Sequence, residues 1–211
     1  MKEILAFVTK GRSNRFFSIA TRAGSRLIYG VTFPGKPYLE GRLKIKMRSS
    51  RTPSIVVGRD AEFYGEIDLR TRDNARLEFG NRVKLDGPVR IVAAGEQGIE
   101  IGDDTRIVCF TIINGGGHIH IGKGVIIGPR CSINANSHSF GGATPIIQAG
   151  FDHVDIWIGD DVWLGSDVAI LPGAYVADGT IIGANSVVNT ATEPYSIYAG
   201  SPARKIGERN I

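Results

Sequence analysis

The chain has 211 residues, a formal net charge of +4, 28 glycines and only two cysteines. That length suits one domain plus an extension, and two cysteines supply no disulfide framework. No run of about 20 apolar residues is available to cross a bilayer. The N-terminus has neither an apolar h-region nor a small-residue cleavage site, so no signal peptide is expected and a reducing cytoplasm fits.

The charge is unevenly placed. Residues 1–52 hold 12 Lys or Arg against Glu3 and Glu40, a balance of +10, while the remainder of the chain is net acidic. From Leu5 to Tyr29, apolar residues such as Phe7, Phe16, Phe17 and Leu27 are scattered among Lys10, Arg12, Arg15, Arg22 and Arg26. This segment reads as a short helical cap with basic edges over the open end of a repetitive domain. A peripheral surface for anionic lipid or glycan is the other reading. Nucleic acid is not expected as a partner, because no recognisable nucleic-acid module accompanies the charge.

From residue 53 a repeat takes over. Ile55-Val56-Val57-Gly58, Leu77-Glu78-Phe79-Gly80, Ile99-Glu100-Ile101-Gly102, Ile119-His120-Ile121-Gly122 and Ile156-Trp157-Ile158-Gly159 are copies of one unit. Their spacing of 22, 22 and then 20 residues predicts 18-residue coils with short insertions at the corners. Gly95-Glu96-Gln97-Gly98 and Gly115-Gly116-Gly117 are the expected insertions, since glycine permits positive φ in a tight turn. Cys131 falls where a small inward residue is wanted, four places after Ile127. From about 139 to 155 the beat is lost, and so long a loop is more often functional than incidental.

After the loop the period is a strict six. Ile158, Leu164, Ile170, Val176, Ile182 and Val188 recur at that interval, several followed by Gly. Hexads of this kind predict an all-β parallel β-helix, three hexads to a triangular coil. Ile158 should then stack on Val176, Leu164 on Ile182 and Ile170 on Val188, about 4.8 Å apart. The β-helix is expected over 53–193, with a C-terminal tail at 194–211.

The hexad run Ile158-Gly159-Asp160-Asp161-Val162-Trp163-Leu164-Gly165-Ser166 carries a resemblance, together with Ile170-Leu171-Pro172-Gly173, Ile182-Gly183-Ala184-Asn185-Ser186-Val187-Val188 and Tyr198-Ala199-Gly200-Ser201-Pro202-Ala203-Arg204. It resembles the hexapeptide-repeat acyltransferases, most nearly the sugar and polysaccharide O-acetyltransferase branch. The likeness covers about residues 55–207. It implies a left-handed β-helix, a homotrimer with active sites between subunits, and acetyl-CoA as donor.

Acetyl transfer from a thioester to a hydroxyl needs a base, and imidazole suits the task. Of the four histidines, His138 matches the family's catalytic position just before the long loop. It lies five places after the inward Ile133, which should turn it outward. His120, 18 residues earlier, would occupy the same position one coil below and could contact it; an inert surface histidine is the alternative. No metal is expected, because zinc normally needs three or four protein ligands. Trp163, five places after Ile158, should face outward, either at a subunit contact or as a wall of the transfer cleft. Asn134 and Asn136 could orient His138 or bind sugar, or be ordinary corner residues.

Ser166 and Ala184 are 18 residues apart and follow Gly165 and Gly183. Small residues there would leave backbone groups accessible, and the resemblance implies that they bind the arm of CoA. It likewise implies that Arg204, with Lys205 beside it, meets the nucleotide end. Asn189-Thr190 stands where relatives often have Thr-Lys, so one expected cation is missing. Several activities compete: a sugar O-acetyltransferase in surface polysaccharide assembly, an N-acetyltransferase on an amino-sugar nucleotide, a serine or antibiotic acetyltransferase, and an inactive β-helical scaffold. The N-acetyl enzymes usually carry an extra N-terminal nucleotide-binding domain, for which residues 1–52 are too short. A gamma-type carbonic anhydrase would need a histidine set that this spacing lacks.

Overall fold

A computed structural model describes residues 2–8, 27–28, 31–35, 37–48 and 54–210. Each short strand alternates, so Ile99 and Ile101 are buried and Glu100 between them is exposed. Ile156, Trp157 and Ile158 repeat the pattern. Alternation with one buried face forces every strand to find neighbours above and below. The result is a parallel β-helix with three walls.

The first wall stacks seven parallel strands, from Val31–Thr32 through Ile55–Val57, Leu77–Phe79, Ile99–Ile101, Ile119–Ile121 and Ile156–Ile158 to Tyr175–Val176. The second runs through Lys84–Asp86, Arg106–Ile107, Ile126–Ile127, Trp163–Leu164 and Ile181–Ile182. The third runs through Val89–Ala93, Thr111–Asn114, Ser132–Asn134, Ala169–Ile170 and Val187–Val188. The register is the one the spacing predicts: Ile158 opposite Val176, Leu164 opposite Ile182, Ile170 opposite Val188. All six are buried.

The corners have their own rule. The third residue after each inward aliphatic has positive φ, as at Asp161, Asp167, Gly173, Gly179 and Asn185. Asp, Asn and Gly tolerate that conformation best. Carboxylates of one coil accept backbone N–H groups of the next: Asp160 Oδ1 accepts from Lys123 at 2.7 Å and Asp178 Oδ1 from Asp160 at 2.9 Å. Inside, the hydroxyls of Thr105 and Thr111 donate to the carbonyls of Gly122 and Gly128. Cys131 is buried among the core residues.

The two glycine insertions work differently. Gly95 and Gly98 do have positive φ. Gly116 and Gly117 do not require it; they are small because something lies against them. A Cβ on Gly116 would meet His153 Nδ1 at 2.5 Å, and one on Gly117 would meet the Val154 carbonyl carbon at 2.7 Å.

The N-terminal region differs from the helical reading. Its described parts are strand: Lys2–Val8 pairs antiparallel with Tyr38–Met47, and Leu27–Ile28 with Val31–Thr32. Residues 9–26, and with them Arg12 and Arg15, lie outside the described residues. The parallel ladder also reaches upstream of residue 53. Tyr38–Met47 pairs in parallel with Glu62–Thr71 over ten residues. Leu43, Ile45 and Met47 are buried, with Arg42, Lys44 and Lys46 between or beside them on the outer face. These two long strands cross two walls without a regular corner, bending at Gly41 and Gly65, where φ is +127° and +72°. Without a corner there is no hexad, which is why the repeat is invisible there. At the other end the tail folds back: Ser196–Ala199 joins the second wall in parallel and Arg204–Glu208 pairs with it antiparallel. Among the described residues no helix is long and apolar enough to cross a membrane.

Candidate active site

The stretch from 139 to 155 belongs to a hairpin that leaves the coil at the corner after Ser132–Asn134. Asn136–His138 pairs antiparallel with Phe151–His153, placing His138 opposite Phe151 and Asn136 opposite His153. His138 is exposed, and its ring lies 4.3 Å from the Phe151 ring, centroid to centroid. Ser139 Oγ donates to Asp152 Oδ1 at 2.7 Å, tying the two arms together. The hairpin's base rests on Gly116 and Gly117, and Asn136 Nδ2 donates to the Gly115 carbonyl at 3.2 Å. Beyond His138 the hairpin is unusually apolar for exposed chain: Phe140, Ile146, Ile147, Phe151 and Val154 are all solvent-facing.

Asn134 turns out to belong to the wall. Its Oδ1 accepts from Asn114 Nδ2 at 2.9 Å, and its Nδ2 donates to Ser132 Oγ at 2.7 Å. Neither Asn134 nor Asn136 makes a described hydrogen bond to His138.

His120 is not the neighbour of His138 that an 18-residue offset suggests. The offset fails because His138 has left the coil for the hairpin. His120 sits on the first wall opposite Glu100 on one side and Trp157 on the other. Its ring stacks on Trp157 at 3.8 Å and 13°, and Trp157 in turn faces Tyr175 at 6.3 Å and 10°. Glu100 flanks the stack, with Oε2 3.6 Å from His120 Nδ1 and Oε1 3.9 Å from His118 Nε2. Sequence reasoning missed this aromatic file. The signal was available: these residues are the middle positions of successive Ile-x-Ile-Gly units.

Trp163 lies on the second wall, 52% exposed, between Ile126 and Ile181. It faces outward because its neighbour Leu164 fills the core. The hairpin leaves the corner between third and first walls, whereas Trp163 is on the second wall. Within one chain the structure does not bring Trp163 and His138 onto the same edge.

Ser166 and Ala184 follow successive strands of the second wall and occupy the same place on the next corner. Two coils lower, Cys109 holds the equivalent position after Ile107. The coils approach closely here: a Cβ on Gly165 would meet the Ala184 nitrogen at 2.7 Å. Gly165 and Ser166 are half-buried and Ala184 is exposed. The Ser166 carbonyl is already used, accepting from Asn185 N at 2.9 Å. At the tail, Arg204 is exposed and donates to the Ala203 carbonyl. Lys205 is held by Glu193 Oε2 at 2.7 Å and Glu208 Oε1 at 2.9 Å, and these two carboxylates raise its ammonium above lysine's usual value. It is less suited than Arg204 to meet a phosphate. Among the described residues no group of three or more His, Cys, Asp or Glu is placed to hold a metal ion.

Comparisons with known proteins agree with this architecture. Residues 155–190 match the family described as bacterial transferase hexapeptide (six repeats). The chain is 33% identical to a hexapeptide-repeat acetyltransferase from Vibrio cholerae O1 biovar eltor, solved in complex with acetyl coenzyme A, covering 59% of this chain and 70% of that one at a TM-score of 0.51. It is 29% identical to the dTDP-4-amino-4,6-dideoxy-D-glucose acyltransferase of Escherichia coli, over 74% of this chain and 80% of that protein. It is 27% identical to the putative lipopolysaccharide biosynthesis O-acetyl transferase WbbJ of Escherichia coli K12, over 66% and 75%. The chain belongs to the hexapeptide-repeat acyltransferases. It is accordingly an enzyme of the acyl-transfer class rather than a bare scaffold.

Proposed function

We propose that the protein transfers an acetyl group from acetyl-CoA to a hydroxyl of a sugar, with His138 as general base. The observation that carries this reading is the placement of His138: the hairpin lifts one imidazole clear of the core and holds it against Phe151. In the reaction the imidazole takes the hydroxyl proton while that oxygen attacks the thioester carbonyl. As the tetrahedral intermediate collapses, the C–S bond breaks and the imidazolium returns the proton to the departing thiolate. The donor would lie along the corner of Ser166 and Ala184, with Arg204 at its nucleotide end.

His138 and that corner are on different edges of one chain, so a second copy must bring them together. A homotrimer with sites between subunits does this. The exposed apolar side chains of the hairpin and of Trp157, Trp163 and Tyr175 support it, since such surfaces seek a covering partner.

A second reading is acylation of an amino-sugar nucleotide. The extent of the match to the Escherichia coli dTDP-amino-sugar acyltransferase favours it: with 80% of that protein covered, an extra N-terminal domain does not separate the two activities. The deciding assay incubates enzyme and acetyl-CoA with neutral sugars, surface glycans and a dTDP-amino sugar, then treats the products with mild alkali. Acetate released by alkali marks an ester and supports the first reading; an alkali-stable product made only from the amino sugar replaces it with the second.

A further inference from the structure

The corner that carries Ser166 and Ala184 continues toward the N-terminal coils into a groove of about 240 Å³, lined by Glu66, Asp68, Pro88, Arg90, Phe110 and Ile112 among others. Phe110 occupies the corner position that Arg130, Asp167 and Asn185 hold in later coils, and shares their left-handed backbone, with φ +63°. For a bulky aromatic that conformation is an outlier, and such strain persists where the surroundings impose it, commonly at ligand sites. Here the Phe110 N–H donates to the Pro88 carbonyl at 2.5 Å. The ring gains nothing from the core in return: it is 60% exposed, beside Ile112 at 41%.

Opposite this apolar floor stand polar groups already held in place. Glu66 pairs with Arg42 at 3.3 Å, and Asp68 accepts from Arg70 Nε at 2.9 Å. Arg90 is beside Asp68 on the adjoining strand. One apolar face and a rim of fixed acceptors and donors match a pyranose ring, which has one C–H face and hydroxyls at its edge. The two carboxylates in the lining disfavour an acidic sugar. The groove is also well placed for the chemistry. Phe110 follows Ile107, and Ile107, Ile127 and Leu164 are successive rungs of one ladder. Ser166 is therefore two rungs away, about 10 Å along the same edge.

We propose that this groove is the acceptor site, binding an uncharged sugar unit with its apolar face on Phe110 and its hydroxyls on Glu66, Asp68 and Arg90. This rests on the reading of the protein as a sugar acetyltransferase, and the test separates the two. Saturation-transfer NMR on the full chain would use glucose, galactose, maltose and N-acetylglucosamine, with glucuronic and sialic acids as the acidic arm. Phe110→Asn puts a residue that tolerates the left-handed backbone in place of the ring, so the fold is retained. Circular dichroism and unchanged acetyl-CoA affinity by calorimetry verify that. The expected result is binding of at least one neutral sugar, weakened about tenfold or more in Phe110→Asn and in Glu66→Gln, with a matching rise in KM for that acceptor. Three results overturn the proposal: no neutral sugar binds, an acidic sugar binds best, or both variants keep the wild-type affinity. If neutral sugars bind through Phe110 but none is acetylated, the groove stands and the acetyl-transfer reading falls.

Discussion

The coils before the hairpin and those after it share one core but differ in what they turn outward. On the first wall the outward residues run Glu78, Glu100, His120, Trp157, Tyr175; on the second, Lys84, Arg106, Ile126, Trp163, Ile181. Both files change from charged to uncharged or apolar at the same level. The early coils clothe themselves with cross-coil ion pairs, such as Arg82 with Asp104 at 2.6 Å and Arg106 with Asp86 at 2.8 Å. The later coils leave aromatic and aliphatic rows uncovered. A solenoid is stabilised by neighbour contacts that are alike in every coil, so the walls are free to diverge. The later ones have the surface of an assembling, catalytic half.

The largest expected effect tests the catalytic half directly. His138→Ala should lower turnover by at least about 100-fold, the usual scale for loss of a general base. Far-UV circular dichroism and acetyl-CoA affinity should be unchanged, because the side chain is outside the core. Near-normal turnover in steady-state assays would remove His138 from the mechanism.

The shared core comes next. Leu164→Ala and Leu85→Ala truncate the same ladder on either side of the change in wall character, and both residues are fully buried. Each should cost about 2–5 kcal/mol by chemical denaturation. A large loss at Leu164 with almost none at Leu85 would mean that the two regions do not fold as one unit.

The hairpin's seat should show in activity more than in stability. Gly116→Val places a side chain against His153 and Asn136, so turnover should fall several-fold while the melting temperature moves little. Gly141→Ala, where an added Cβ meets nothing within 4 Å, serves as the control and should be silent. Equal activity in both would show that the hairpin's position does not matter.

The smallest effect distinguishes the walls by pH. Asp104 is held below the usual carboxylate range by Arg82, Asp103 by the Asn81 backbone N–H, and Glu62 by the Tyr64 hydroxyl. Each ionises more readily in the folded chain than in the unfolded one. Their stabilisation is therefore present above about pH 4, the unfolded carboxyl range, and is lost as pH falls through the lower folded values. In the later coils, Asp167, lowered by Arg130, is a counterpart. Amide exchange at pH 3 should accelerate modestly more over 62–104 than over 156–190. Uniform acceleration would show that the early ion pairs contribute nothing particular.

The hexads from Ile158 to Val188 disclosed their coil, register and corners from sequence alone, because an 18-residue turn must return each inward aliphatic to the same ladder. His138 and Trp163 could be oriented by counting from an inward residue for the same reason. The counting failed wherever the chain leaves the coil. Tyr38–Met47 and Glu62–Thr71 bend over two walls without a hexad, so their membership of the helix depended on pairing between strands 24 residues apart. His120 was separated from His138 by the hairpin, and its partners Glu100 and Trp157 come from other coils. Lys205 was drawn into a carboxylate pair by the fold-back of the tail, and Phe110 met Glu66 and Pro88 across a corner. Periodicity determines which residues face in and how coils stack. Which outward side chains meet depends on insertions and long-range pairing, and only the tertiary structure decides it.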